Sequence, residues 1–274
     1  MSQTSYSHEY LAYADGNITD DLFRFKKMQR PWDYNDFATW QALEAQITQQ
    51  SPKRVLSIGC GPGTWEFRIA QTFPDLEVVG FDITETQIER AQQLLMEHFA
   101  DLGDRVRFYQ GDACAIDPEL GYFDLSICLH DVLNHIIDPE TAIREIDRVS
   151  QTNITTIHTI GGPRTFYTVD PREVKKWRKK GDWLHFTTHD GTEYTFHDHL
   201  FDYNEITGLF SVQRRIIDAY GIDVGVSTNL QEKLTPETDL DSLLETLQAE
   251  EDKIKRQPPH ANTAEHILIL SEKR

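Results

Sequence analysis

The sequence predicts an α/β fold, a doubly wound and mostly parallel sheet with helices on both faces. Three observations predict it. From Ser51 onward, short apolar runs bounded by turn residues alternate with helix-length segments. The first run, Arg54–Ile58, breaks into a turn with glycines at 59, 61 and 63 and then enters helical spacing through Trp65, Phe67, Ile69, Ala70 and Phe73. The next runs end in Asp82, in Gly111-Asp112-Ala113 and in His130-Asp131, and in a parallel sheet such ends line one crevice.

In order, residues 1–50 form an aromatic and polar helical cap, with helical stretches around Ile18–Met28 and Asp36–Gln50 and Asp36 as an N-cap. Tyr10, Tyr13, Arg30 and Trp32 of this cap are candidates to reach a ligand on the domain that follows, residues 51–274. Strand one is Arg54–Ile58, and Glu77–Phe81 is strand two. Thr84 caps a helix from Glu85 to Ala100. Strands three, four and five are Arg105–Gln110, Phe123–Leu129 and Asn153–Ile160, with a helix from Pro139 to Val149 before the fifth. Residues 161–201 interrupt the alternation, and an Asp190-Gly191 turn marks a β-hairpin inside them. A short helix at Asp202–Leu209, a strand at Val212–Tyr220, a charged helix at Asp239–Arg256 and a closing strand at Glu265–Ser271 complete the chain.

The 274 residues are 39% hydrophobic and 26% charged, the composition of a soluble globular protein. No apolar run reaches the roughly 18–20 residues of a membrane span, and MSQTSYSHEYLAYADG lacks the pattern of a secretory signal. A net charge of −18 repels nucleic-acid phosphates at long range. The one basic cluster, Lys175 to Lys180, reads as a solvated helix face. Cys60, Cys114 and Cys128 have no metal-site spacing and suit a reducing compartment. The expected location is the cytoplasm.

Glycines at the strand-one turn let a ligand approach the backbone. A carboxylate ending strand two, Asp82, accepts from two ribose hydroxyls at once. Asp112 can accept from an exocyclic amine while a neighbouring N–H meets a ring nitrogen. Together these residues describe an adenosine site.

On these motifs the chain resembles the class I, Rossmann-like S-adenosylmethionine-dependent methyltransferases. VLSIGCGPG is similar to the family's first motif, VVGFD to its second, RVRFYQGDA to its third region, and FDLSICLHDVLNHIIDPETAIREIDRV to its fourth strand and following helix. The resemblance implies a seven-stranded sheet whose last strand runs antiparallel. It implies S-adenosylmethionine as cofactor and S-adenosylhomocysteine as product. Gly59, Cys60, Gly61 and Gly63 would border its methionine part and Asp82 its ribose. Ile83, Asp112 and Ala113 would meet the adenine, and His130 would lie near the sulfonium. Arg30 is a further cofactor candidate. The family usually has Asp or Glu where this chain has Ser57, which removes a charge that helps organise the loop and the cofactor's amino group.

Transfer to a hydroxyl or a protonated amine needs a base, and histidine suits that near neutral pH. His130 and His158 are the catalytic candidates, with His135 ranked after them. Tyr13, His135, Tyr194 and His197 are the substrate-binding candidates, the last two in the insertion, which is placed as the roof of an acceptor pocket. His197 and His199 share a strand face, yet no acid or cysteine completes a metal set, and no metal is expected. The expected reaction is O- or N-methylation of a small molecule or short peptide. No nucleic-acid or membrane partner is expected, and a homodimer is compatible with the sequence. Two rival readings remain open. A nicotinamide oxidoreductase is disfavoured by the GxGxG turn and by the lack of a Tyr-x-x-x-Lys pair. A catalytically silent binding or scaffold protein of the same fold is favoured only by Ser57.

Overall fold

β1 (Arg54–Ile58) lies inside the sheet, and every residue from Val55 to Ile58 is buried, as a strand covered on both faces requires. It pairs in parallel with β2 (Glu77–Asp82) on one side and with β4 (Phe123–Cys128) on the other. β3 (Val106–Gln110) extends the first side and β5 (Ser150–His158) the second. β9 (Arg214–Ile222) and β10 (His266–Lys273) complete the seven-stranded order β3-β2-β1-β4-β5-β10-β9. β10 runs antiparallel to both neighbours, so its first residue, His266, pairs with His158 at the end of β5. The strand order reverses between β1 and β4, which opens a crevice at their carboxyl ends. This computed structural model describes residues 34–161, 174–225 and 239–274. Tyr10, Tyr13, Arg30, Trp32 and the helix expected at Ile18–Met28 lie outside the described residues.

Helices cover both faces. α1 (Tyr34–Gln50), α2 (Thr64–Thr72) and α3 (Glu85–His98) bury Leu43, Ile47, Phe67, Ile69, Ile88 and Leu94 in one core, which α7 (Leu240–Glu251) joins through Leu244 and Leu247. The opposite core takes α4 (Val132–His135), α5 (Pro139–Val149) and α6 (Tyr203–Gln213). α5 shows why such a segment folds there. Asp138 caps its first turn by accepting from Thr141 N at 3.1 Å, and Pro139 sits where no N–H is needed. Ala142, Ile143, Ile146 and Val149 then form one buried stripe. α8 (Pro258–Ala261) leads into β10.

The insertion is larger than a hairpin. β6 (Val174–Lys180), β7 (Trp183–Thr188) and β8 (Glu193–His197) form a three-stranded antiparallel sheet, with the Asp190-Gly191 turn where the sequence placed it. The basic cluster Lys175–Lys180 is therefore a strand and not a helix face. Alternation sends Lys179 inward to Asp198 Oδ2 at 2.5 Å, while Lys175, Lys176 and Arg178 stay exposed. Such an edge is suited to lysine because charge blocks further strand pairing. Two boundaries also differ from expectation. α1 begins at Tyr34, which puts Asp36 in its first turn, and β5 follows α5 without a break.

Candidate active site

The glycine turn after β1 is held from both sides. Gly59 and Cys60 donate their N–H groups to Phe81 O, at 2.8 and 3.0 Å. Asp82 Oδ2 accepts from Gly61 N at 2.9 Å, and its Oδ1 accepts from Thr84 N at 3.0 Å. Each carboxylate oxygen keeps a second lone pair for a ligand hydroxyl. Burial pushes Asp82 up from the usual carboxylate range, against the N–H groups of Thr84 and Gly61. Gly59 and Gly61 have φ of +71° and +51°, which side chains rarely adopt. A Cβ on Gly59 would lie 2.3 Å from Val132 Cγ2, whereas one on Gly61 would meet nothing within 4 Å. Gly59, Asp82, Ile83, Gly111, Ala113 and Val132 line one small cleft.

Next to that cleft, the turn after β4 carries strain. His130 and Asp131 have φ of +55° and +67°, in the left-handed region that non-glycine residues avoid. The turn is pinned by His130 N donating to Thr156 Oγ1 at 2.9 Å. Asp131 then meets two histidines. Its Oδ1 accepts from His266 Nε2 at 2.9 Å, and His158 Nδ1 lies 3.2 Å from Oδ2. His158 and His266 stack at 4.3 Å between centroids. His130 stacks on Trp65 at 5.4 Å and reaches Asp36 Oδ1 at 3.5 Å. Burial alone would raise Asp131, but His158, His266 and His130 together hold it well below the usual range. Burial lowers His158 despite Asp131 beside it, so its imidazole is neutral near pH 7. Asn35 Nδ2 contacts His266 Nδ1, which leaves the ring proton on Nε2 facing Asp131. Asp131, His158 and His266 have donor atoms within 4.8 Å of one another, and this tautomer joins Asp131 to His266 by a hydrogen bond without an ion.

Asn134 fixes the backbone of His158 from both directions. Its Oδ1 accepts from His158 N at 3.1 Å and its Nδ2 donates to His158 O, also at 3.1 Å. The same amide donates to His199 O at 2.6 Å, which ties the insertion's exit to the end of β5. Asp131, Asn134 and His266 were not singled out from sequence. Asp131 stood beside His130 in the motif, but nothing local marks His266, whose partners are brought by sheet order.

The remaining expectations divide. Cys60 turns under the glycine turn, with burial and then Glu66 and Asp82 raising its thiol well above the ordinary value. Gly63 starts α2 with φ +90°. Asp112 Oδ1 accepts from Cys114 N at 2.8 Å, the turn role that competes with adenine recognition, while Ala113 lines the cleft. His135 is buried; its Nδ1 contacts His197 O at 3.1 Å and its ring packs edge-on to Phe196. It therefore ties α4 to the insertion. His197 is half-buried against Trp183. Tyr194 stacks on Phe186 and lines a cavity of about 350 Å³ on the insertion sheet, with Lys176, Arg178 and His185. Arg30 and Tyr13 lie outside the described residues. Ser57 is buried, and the acid missing there has a neighbour: Glu66, on the first turn of α2, is fully buried beside the Ser57 hydroxyl. Neither Glu66 oxygen reaches a partner with good hydrogen-bond geometry, and burial pushes the carboxyl up to about 7 although Ser57 opposes the shift.

Fold and site together define the S-adenosylmethionine-binding, Rossmann-like methyltransferase class. A family described as a methyltransferase domain matches residues 49–202, more than half of the chain, and the chain belongs to that family. It is similar to a malonyl-[acyl-carrier protein] O-methyltransferase of Legionella pneumophila, 28% identical over 149 residues that cover 54% of this chain and 48% of that protein. It is also similar to a trans-aconitate 2-methyltransferase of Methylobacterium radiotolerans, 33% identical over 88 residues, 31% of each chain. The chain thus spans less than half the length of these two relatives. In fold it matches an S-adenosylmethionine-dependent methyltransferase from Clostridium acetobutylicum (TM-score 0.56, 17% identity, 96% and 98% coverage). It also matches magnesium protoporphyrin IX methyltransferase from Synechocystis with bound S-adenosylhomocysteine (TM-score 0.53, 15% identity, 96% and 99% coverage). The residues present fit that cofactor: the space at Gly61 is open to a ligand, and Asp82 keeps acceptor capacity at the cleft. Among the described residues no helix is long and apolar enough to cross a membrane.

Proposed function

We propose that the chain transfers a methyl group from S-adenosylmethionine to an oxygen or nitrogen of a small molecule or short peptide. One observation carries the reading. Val132 packs on Gly59 and lines the cleft, while His130 and Asp131, immediately before it, hold the histidine cluster, so a single turn joins the cofactor side to the acceptor side.

When bound, the cofactor supplies an electrophilic methyl on sulfur that leaves as a neutral thioether. The glycine turn would border its methionine part and Asp82 would hold its ribose, and such positioning contributes on the order of several kcal/mol. With Nδ1 turned to Asp131, His158 offers Nε2 to the acceptor. It takes the proton of a hydroxyl or amine as the new bond to carbon forms, and Asp131 stabilises the resulting imidazolium. His130, stacked on Trp65 two residues before the cleft-lining Val132, is the second candidate base. A carboxylate acceptor has no proton to lose and needs neither histidine. Both curated relatives described above are named for substrates with carboxyl groups, so acids belong in any acceptor panel, with phenols and amines.

The test is formation of S-adenosylhomocysteine from S-adenosylmethionine across that panel, with Asp82→Ala beside the wild type. An acceptor-dependent product, lost in Asp82→Ala, supports the reading. Cofactor binding without turnover on any class would favour the silent binding protein instead.

A further inference from the structure

We infer that Glu66 supplies the negative charge that position 57 lacks and fixes the ammonium end of the cofactor. This rests on the cofactor reading above. Asp82 marks the ribose end of the cleft and the His130-Asp131 turn marks the acceptor end. The reactive sulfur must face the acceptor, so the amino-acid end of the molecule runs along the glycine turn that separates the two. Glu66 lies under that turn. It sits on the first turn of α2, which starts at Gly63, and its carboxyl is near Ser57 of β1, Cys60 of the turn and Asp82 of β2.

Its environment is incomplete without a cation. Glu66 has no exposed surface, and neither of its oxygens makes a hydrogen bond of good geometry among the described residues. The Ser57 hydroxyl beside it is the one side-chain group whose hydrogen bonding opposes the rise of its pKa. A buried carboxyl in that condition costs stability in either protonation state. The groups facing it do not compensate: Asp82 is a second acid, the Cys60 thiol is held protonated by burial, and Ser57 offers one hydroxyl. A ligand ammonium would relieve both acids at once. The acid has in effect moved from the strand to the helix, with Ser57 left as the small residue that makes room for it.

Calorimetry with two ligands tests this. S-adenosylhomocysteine carries the amino-acid end, and 5′-methylthioadenosine has the same nucleoside and thioether without it. Glu66→Gln should weaken the first by about tenfold or more, the loss of one charge-assisted hydrogen bond, and leave the second unchanged. Ser57→Asp added to Glu66→Gln should restore binding of the first. In the wild type, the affinity ratio of the two ligands should fall as pH drops through about 7, where Glu66 takes up a proton; Asp82 faces both ligands, so its titration cancels in the ratio. That last series needs no variant and decides the matter if Glu66→Gln does not fold. A ratio unmoved by the substitution and by pH, with both ligands bound, overturns the role of Glu66 alone. Failure of the wild type to bind either ligand removes the cofactor reading and this inference with it.

Discussion

Two glycines of one turn should respond to alanine in opposite ways. Both have left-handed φ, so each substitution carries a backbone cost of about 1–2 kcal/mol, partly offset by about 0.4–1 kcal/mol from a less flexible unfolded chain. Beyond that they diverge. At Gly59 the new Cβ meets Val132 Cγ2 at 2.3 Å and Cγ1 at 3.0 Å, and Val132 is held by the strained turn before it. Overpacking of this kind adds about 1–3 kcal/mol, for a total near 2–4 kcal/mol and a fall in Tm of roughly 5–12 °C. At Gly61 the Cβ meets nothing within 4 Å, so Tm should fall by no more than about 3 °C. That Cβ instead projects into the open space over the turn. Gly103, with φ +56° and nothing within 4 Å, is the control for backbone cost alone. Thermal unfolding and calorimetry with S-adenosylhomocysteine on Gly59→Ala, Gly61→Ala and Gly103→Ala separate the two effects. The expected pattern is a stability loss concentrated at Gly59 and a binding loss without matching instability at Gly61. Unchanged binding in Gly61→Ala would refute the placement of the ligand over this turn.

His158→Gln should slow transfer to a hydroxyl or amine by about 10²–10⁴-fold and leave transfer to a carboxylate unaffected; equal rates on a hydroxyl acceptor would remove His158 as the base. The pH dependence has a definite sign. Burial lowers His158, so the neutral base persists below its ordinary pKa, and at saturating cofactor the wild-type rate should hold through about pH 6.5 and fall only on further acidification. Arg214 is fully buried, donating to Ser271 Oγ at 3.0 Å, Asp147 Oδ1 at 3.1 Å, Ser150 O at 3.2 Å and Gln151 O at 2.9 Å. Arg214→Met leaves those acceptors unpaired and should cost about 3–5 kcal/mol, read as a fall in the urea midpoint with cofactor affinity unchanged.

The parallel half of the sheet was legible because its information is local. An apolar run of strand length, a glycine turn and an amphipathic helix state their own identity, as β1 with α2 and the Asp138-capped α5 show. The antiparallel closing strand followed from the resemblance, since nothing in EHILILS gives its direction. Lys175–Lys180 was misread because a single apolar residue, Trp177, among five cations gives no period to separate strand from helix. The strand becomes visible only when Lys179 is seen to turn in to Asp198. In the site, the residues that line the cleft were legible as strand ends. Glu66 was not, because a glutamate on the first turn of a helix ordinarily faces solvent and favours the helix dipole. Only the packing of α2 against the sheet shows it buried beside Ser57.

The histidine cluster raises the question of whether it is structure or chemistry, and the turn at His130-Asp131 bears on the answer. Two successive left-handed residues cost about 1–2 kcal/mol each unless they are glycine, and this chain uses glycine freely for that purpose a few ångströms away, at 59, 61 and 63. A turn needed only to connect β4 with α4 would be more stable with glycine in either place. What the two side chains do in return is specific. Asp131 gathers His158 from the end of β5 and His266 from the start of β10, residues 108 positions apart (266 − 158) that meet only because β10 runs antiparallel. His130 stacks on Trp65, at the head of the helix that follows the glycine turn. A structural core would close with less desolvation cost if it used apolar groups, because a buried Asp beside imidazoles is stabilised only while it keeps those partners. Strain concentrated in the residues that gather polar side chains beside the cleft is the arrangement expected where side-chain chemistry sets the backbone. The strain thus supports the proposal that the cluster takes part in the reaction, which the His158→Gln measurement decides.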